Sequence, residues 1–476
     1  MVSAEASPWA KSGGLADVLG ALPAALAAAG HAVGVVIPRY MKAKNAPARR
    51  IADHVPIALG GTVYYVAIWQ LESRGTTCYF VDNPELFDRP GLYGDQLGDY
   101  PDNHIRFALL SKAAIEISRR FFSADVLHCH DWQASLVPVY LKDARLVDPN
   151  FLDTRTLLTI HNLGYQGVFD RGAIADIGLP EALFHPEAIE FWGDISYLKG
   201  GIVFADALNT VSPKYAEEIQ TPEYGVGLDG LLRERRSVLS GILNGVDYTQ
   251  WNPETDPFIA AHYAAGNLAG KRTCKSALLR ESGLPEAGID RPLLGIVSRF
   301  TGQKGFDLIA AAAPELFKDD VYLVALGNGE PEWEALFRTL QSTWPDRVSV
   351  TFGYDEGLAH RIEAGADIFL MPSRYEPCGL NQIYSLRYGT APVVRATGGL
   401  DDTIDETTGF KFADYNGIAL LGAIRAACRA WADRKAWAAM MVRGMRKDFS
   451  WTASAAEYSR LYRKLHPGEH SGTLIF

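Results

Sequence analysis

The chain has 476 residues, with 46 Lys plus Arg against 56 Asp plus Glu for a net charge of -10; hydrophobic residues make up 48% and charged residues 21%. This length exceeds the roughly 250–300 residues at which one hydrophobic core stops growing, so two domains are expected, and the composition excludes a disordered, collagen-like or charge-rich coiled-coil chain. The acidic balance lacks the basic field that nucleic-acid binders use, so an anionic substrate needs local cations.

The first apolar stretch, Val18 to Pro38, is broken by Gly20, Pro23, Gly30 and Gly34 and has no basic flank, which excludes a membrane span or a secretory signal. It reads as a buried Ala-rich helix from Leu15 to Ala29, stopped by Gly30, and a strand from Val33 to Ile37. Apolar runs follow at 63–69, 77–81, 126–129, 157–160, 207–211, 293–297, 321–326, 368–371 and 392–394, separated by helical or polar stretches. Strands alternating with helices predict parallel sheets, whose ligands bind at the loops beyond the strands' carboxyl ends. The Pro-, Gly- and Asn-rich region from Asn244 to Asp290 lacks a clear parallel strand and marks the connection between domains, with the boundary near Gly245. A late helix from Trp451 through Tyr458, Leu461, Tyr462 and Leu465 carries an apolar stripe expected to pack back on the first domain.

No Gly-x-Gly-x-x-Gly follows a strand, and Gly327-Asn328-Gly329 lacks the third glycine, so a nicotinamide or flavin site is not expected. His128-Cys129-His130 is read as ordinary strand-end residues, because alternation sends Cys129 to the face opposite both histidines. Cys78, Cys129, Cys274, Cys378 and Cys428 are scattered without a Cys-x-x-Cys pair, which predicts no disulfide framework and no thiolate metal site, and fits a reducing cytoplasm.

Two glycine pairs stand out. Lys11-Ser12-Gly13-Gly14-Leu15-Ala16-Asp17 opens the first helix, and Thr397-Gly398-Gly399-Leu400 follows the strand ending at Val394. Each lets backbone N–H groups approach a phosphate or a polar sugar closely, and Lys11 suits the first to a diphosphate. Arg299 and Lys304 sit in the loop after the run 293–297, a second candidate anion site, and Glu376 precedes a helix start set by Pro377 after the run 368–371.

K-S-G-G-L-A-D at 11–17, H-D-W-Q at 130–133, T-I-H-N at 159–162, L-N-G-V-D at 243–247, S-R-F-T-x-Q-K-G at 298–305, P-S-R-Y-E-P-C-G-L at 372–380 and T-G-G-L at 397–400 occur in this order. Together they resemble the bacterial glycogen synthase and plant starch synthase family, from residue 1 to about Leu465. The resemblance implies an α/β chain of GT-B fold, with two Rossmann-like parallel-sheet domains facing a deep interdomain cleft. The first, residues 1–244, would take the glucan acceptor, and the second, 245–450, the nucleotide-sugar donor; a helix at 451–466 would cross back and 467–476 would be a tail. It implies transfer of glucose from ADP-glucose to the nonreducing end of an α-1,4-glucan with retention of configuration, in the cytoplasm, with no cofactor, metal, nucleic acid or membrane partner.

Carried over motif by motif, the resemblance assigns the diphosphate cations to Lys11, Arg299 and Lys304, the catalytic-site histidine to His161, and the acid near the donor glucose to Glu376. Gly13, Gly14, Asp17, Asp131, Asn162, Asn244, Tyr354, Cys378, Gly379, Leu380, Thr397 and Gly398 fall in motifs that line the same cleft in relatives. Retaining transferases of this fold often carry a second glutamate eight positions after the first, where this chain has Tyr384; that departure points away from lipid and sucrose transferases. Relatives also begin with apolar residues ahead of V-S-A-E, whereas Met1 here directly precedes Val2, so a native start a few residues upstream is expected, to be checked by N-terminal peptide mapping.

Overall fold

The computed structural model describes residues 1–466; the tail expected at 467–476 lies outside the described residues. The chain divides into two compact units at Gly245/Val246 and again at Ser450/Trp451, with the short segment Ser212–Tyr215 grouped with the second unit.

In the first unit, two four-stranded ladders meet at the N-terminus. One runs Gly34–Pro38, Thr76–Asp82, Thr62–Ser73, Arg49–Leu59, and the other Val126–His130, Arg155–Ile160, Ala207–Thr210, Leu239–Gly241. Val2 forms parallel bridges to both Val36 and Cys129 and so joins them. The Met1 ammonium donates to Gly34 O at 2.6 Å, and burial pushes it down to about 6.

The parallel reading of the apolar runs fails at one strand: Thr62–Ser73 pairs antiparallel with both its neighbours. A tight two-residue turn at Gly60–Gly61 delivers it, preceded by the strand Arg49–Leu59, which no apolar run announces. That strand is a sheet edge carrying Pro56 and two register shifts, and only its last half alternates buried with exposed. The Ala-rich helix runs Gly14–Ala28, and the helix Trp451–Leu465 packs on it, with Trp451, Ala455 and Tyr458 in the same apolar cluster as Leu19, Leu22 and Leu26. A separate three-stranded sheet pairs Val168–Phe169, Asp194–Ser196 and Glu190–Phe191.

The second unit is an all-parallel six-stranded sheet in the order Val348–Phe352, Tyr322–Gly327, Leu293–Val297, Ile368–Met371, Ala391–Arg395, Phe410–Phe412. In chain order this is 3-2-1-4-5-6, the dinucleotide-fold order, whose switch point falls between Leu293–Val297 and Ile368–Met371. The inner strands are almost wholly buried, as residues covered on both faces must be, and this explains their unbroken apolar runs. The connection at 244–290 is itself packed: it holds the helix Ala269–Glu281, and Trp251 lies flat between His360 and Tyr384 at ring distances of 3.7 and 3.9 Å. The residue that replaces the second glutamate is thus a stacking partner. Among the described residues no helix is long and apolar enough to cross a membrane.

Candidate active site

The N-terminal glycine loop is organised by a residue the sequence motifs passed over. Glu5, 3% exposed, accepts hydrogen bonds from Ser12 N and Oγ, both at 2.6 Å, from Gly13 N at 3.3 Å and from the Tyr93 hydroxyl at 2.6 Å. The amides of Ser12 and Gly13 are therefore committed to an internal carboxylate. What stays open is the space: a Cβ on Gly13 or Gly14 would meet nothing within 4 Å. Lys11 Nζ pairs with Asp17 Oδ1 at 2.6 Å, so two site candidates hold each other, and both are half exposed. Glu5→Ala removes four hydrogen bonds at once, all from donors on residues that solvent partly reaches, and is expected to cost about 2–3 kcal/mol in urea unfolding.

Farther along the same unit, Asp131 adopts a φ of +56°, a left-handed conformation at the end of the strand Val126–His130. Its Oδ1 accepts from the His161 amide at 2.7 Å, and burial pushes this carboxyl up to about 7. The His161 ring meets His130, Nε2 to Nδ1, at 3.0 Å, and burial pushes His161 down to about 3. His130 lies over His128 at a ring distance of 4.1 Å, and His128 spans Tyr462 Oη and Thr159 Oγ1, each at 2.7 Å. His130, the last residue of its strand, is thus also the direct partner of His161. Cys129 stays apart from this chain of contacts, with its thiol toward Leu127 O, and no group of metal-binding side chains occurs among the described residues. Asn162 folds back to accept from Gly164 N at 2.9 Å, and buried Asn244 keeps Oδ1 without a hydrogen-bond partner.

The second unit presents its candidates at the switch point. Lys304 Nζ pairs with Glu376 Oε2 at 2.7 Å, and Ser373 Oγ donates to the same oxygen at 2.9 Å. The two loops are stitched together by Arg374 N to Gln303 O at 2.8 Å and Gln303 Nε2 to Tyr375 O at 3.1 Å. Gly305 has a φ of +73°, and a Cβ there would lie 2.0 Å from Pro372 O, so only glycine lets these loops touch. Arg299 is exposed. Tyr354, 82% exposed, stands beyond the edge strand Val348–Phe352. In the 378–380 turn, Gln382 Nε2 donates to Cys378 O and Gly379 O, each at 3.0 Å, with Gly379 at a φ of +70° and Leu380 next in chain.

The second glycine pair has a different job from the first. Buried Thr397 leads into it, Gly399 N donates to Glu376 O at 3.1 Å, and an added Cβ would sit 2.0 Å from Glu376 O at Gly398 and 2.0 Å from Cys378 O at Gly399. These glycines bring backbone against backbone, fixing the loop that carries Glu376. Gly399→Ala should destabilise the second unit by roughly 1–3 kcal/mol, read from its unfolding transition.

Residues 1–234 match the starch synthase catalytic domain, and residues 285–440 match glycosyl transferases group 1. Glycogen synthase of Koribacter versatilis is 49% identical, with 97% of each chain covered, and that of an Anaeromyxobacter species is 51% identical, with 98% of each covered. The catalytic domain of starch synthase IV from Arabidopsis thaliana, solved bound to ADP and acarbose, superposes with a TM-score of 0.87 at 34% identity, covering 98% of this chain and 99% of that one. Near-complete reciprocal coverage, an α/β architecture with a 3-2-1-4-5-6 sheet, and the Lys304–Glu376 pair at its switch point lead to one conclusion: the chain belongs to the glycogen synthase and starch synthase family of GT-B glucosyltransferases.

Proposed function

We propose that this chain is a glycogen synthase that transfers glucose from ADP-glucose to the nonreducing end of an α-1,4-glucan with retention of configuration. The observation that carries the reading is the Lys304–Glu376–Ser373 cluster at the switch point of a chain about 50% identical to glycogen synthases over its whole length. ADP is the nucleotide bound in the starch synthase IV structure, which supports ADP-glucose as donor, and the acarbose there supports a glucan acceptor. Residues 1–244 take the acceptor in this reading, and 245–450 the donor.

In the reaction, the bond between the anomeric carbon and the diphosphate oxygen breaks while the acceptor 4-hydroxyl attacks from the same face. The hydroxyl proton passes to the departing diphosphate. Negative charge grows on that diphosphate, and Lys304, Arg299 and Lys11 act by stabilising it more in the transition state than in the ground state. Glu376 holds Lys304 in place before substrate arrives, so little reorganisation is needed, and its carboxylate offsets positive charge on the glucosyl ring. His161, kept neutral by burial, is a hydrogen-bond donor to the sugar with no charge to neutralise. A front-face path is favoured because no second carboxylate accompanies Glu376 to serve as a covalent nucleophile: the position eight residues on is Tyr384. The scattered free cysteines, four of them buried, support a reducing cytoplasm.

The test is nucleotide release from ADP-glucose and from UDP-glucose in the presence of glycogen, with the new linkage typed by an α-1,4-specific glucosidase. ADP release with a glucosidase-sensitive product is expected. No release from either donor would overturn the reading, and faster release from UDP-glucose would overturn the donor assignment.

A further inference from the structure

The small sheet of the first unit holds an exposed aromatic that nothing in the reaction just described uses. Phe191 pairs with Asp194, so Trp192-Gly193 is a two-residue hairpin turn, with φ of +55° and +91°. Turns of that type favour Asn-Gly, because both central residues must adopt positive φ. This chain instead places tryptophan there and leaves it 84% exposed. Beside it, Val226 has a φ of +47°, an outlier for a β-branched residue, and is 51% exposed. The two strained turns touch: a Cβ on Gly227 would lie 3.2 Å from Phe191 Cζ and 3.4 Å from Trp192 Nε1.

This pair of turns is tied to the His161 loop. Gln166 Nε2 donates to Val226 O at 2.9 Å, while Gln166 Oε1, in a side chain 6% exposed, has no hydrogen-bond partner. The preceding residue, Tyr165, is 60% exposed, and its amide donates to Asn162 O at 3.2 Å. Exposed aromatics, local strain and an unsatisfied buried acceptor thus occur along one connected path from Asn162 to Trp192. Strain of this kind clusters at ligand clamps and active sites.

The chemistry of the ligand follows from the charges. Segments 162–170, 185–196 and 221–229 contain no Lys or Arg and carry Asp170, Glu187, Glu190, Asp194, Glu223 and Asp229. Asp229 is paired with Arg233, and the Lys199 ammonium is held by the Pro186 and Glu190 carbonyls, so the remaining carboxylates Asp170, Glu187, Glu190, Asp194 and Glu223 outnumber the cations here and disfavour a phosphate-bearing or nucleic-acid ligand. A neutral polyhydroxyl chain is not disfavoured, and the C–H faces of its pyranose rings stack on flat amphipathic aromatics. We propose that Trp192 and Tyr165 form a stacking ledge for glucose units of the α-1,4-glucan acceptor, away from the end that reacts. The proposal rests on the glucan-transferase reading and names a part of the acceptor site assigned to no residue so far.

The experiment uses the full chain as wild type, Trp192→Asn and Trp192→Phe. Asparagine suits the turn, so Trp192→Asn should fold and unfold at an equal or higher midpoint. Maltoheptaose binding without donor, by titration calorimetry, should weaken about tenfold in Trp192→Asn, and the KM for glycogen should rise in step while the KM for ADP-glucose holds. Trp192→Phe should recover most of the loss. Unchanged maltoheptaose affinity in Trp192→Asn would overturn the ledge, as would a change of oligomeric state with glucan affinity intact, which would assign the patch to a second copy of the chain. Because the titration needs no turnover, an inactive wild type that binds maltoheptaose through Trp192 would sink the transferase reading and leave the ledge standing.

Discussion

Lys304→Ala is expected to lower kcat by about 100- to 1000-fold, the cost of removing one well-placed donor from a developing anion, about 2.7–4 kcal/mol. Lys304 is no solvated surface lysine: its ammonium lies 2.7 Å from Glu376, and the loop behind it is held by Gln303 and by the backbone contact at Gly305. Removing it also leaves the buried Glu376 carboxylate with only the Ser373 hydroxyl, so the unfolding midpoint should fall as well. Turnover is therefore compared under conditions where the variant is fully folded. Lys304→Arg should rescue poorly, because a planar guanidinium pairs with a carboxylate through two N–H groups and would be tied to Glu376. Glucan affinity, read by titration without donor, should not follow kcat in either variant. Wild-type turnover in Lys304→Ala would remove Lys304 from the leaving-group role.

The loops that carry Arg299, Lys304 and Glu376 were legible because their strands are buried on both faces and therefore appear as unbroken apolar runs. Edge strands gave no such signal. Arg49–Leu59 carries Arg49, Arg50, Asp53, His54 and Pro56, and Val348–Phe352 alternates Val with Ser and Thr; both read as polar connections until pairing partners are known. Glu5 was silent for another reason. Its role as the acceptor for the glycine loop depends on Tyr93, 88 residues away, and no local pattern records that. The two glycine pairs looked equivalent in sequence and differ in what surrounds them, open space at Gly13 and Gly14 but carbonyl oxygens at Gly398 and Gly399. The Phe-Trp-Gly-Asp hairpin did leave a trace, since a bulky residue before glycine in a two-residue turn conflicts with the local preference, and such conflicts mark function.

The second large effect concerns His130. Its Nδ1 meets His161 Nε2 at 3.0 Å, and its own Nε2 is buried without a partner. If His161 donated, His130 would be left with a buried N–H and nothing to receive it. With His130 donating from Nδ1, the orphan is a bare acceptor, the less costly defect. That arrangement places the His161 proton on Nδ1, the ring nitrogen not used by His130, where it can be given to a sugar oxygen. His130→Leu removes the donor, frees the tautomer and should reduce kcat by about 10–100-fold, by analogy with the range seen when the partner orienting a metal-ligating histidine is lost. His130→Asn should recover most of this, because its amide nitrogen stands two bonds from Cβ, as Nδ1 does.

Stability against pH separates this role from mere packing. Burial, with neighbouring charges adding, holds His128 and His130 well below their usual range, and His161 at about 3. The unfolded chain takes up protons on these rings as pH falls through about 6.5 and the folded chain does not, so stability drops below that point. Asp131, at about 7, works in the opposite sense: between 7 and 3.8 the folded chain keeps a proton that the unfolded chain releases. Three imidazoles against one carboxyl leave two uncompensated protons. Replacing His130 with asparagine removes one, and the slope of the urea midpoint between pH 6 and 4 should fall to about half of this cluster's share. His130→Leu should change that slope further, since an undonated Nε2 lets His161 accept a proton nearer neutrality, and the acid limb of kcat should move up with it. An acid limb that stays put in His130→Leu, with kcat intact, would show that His130 only fills space.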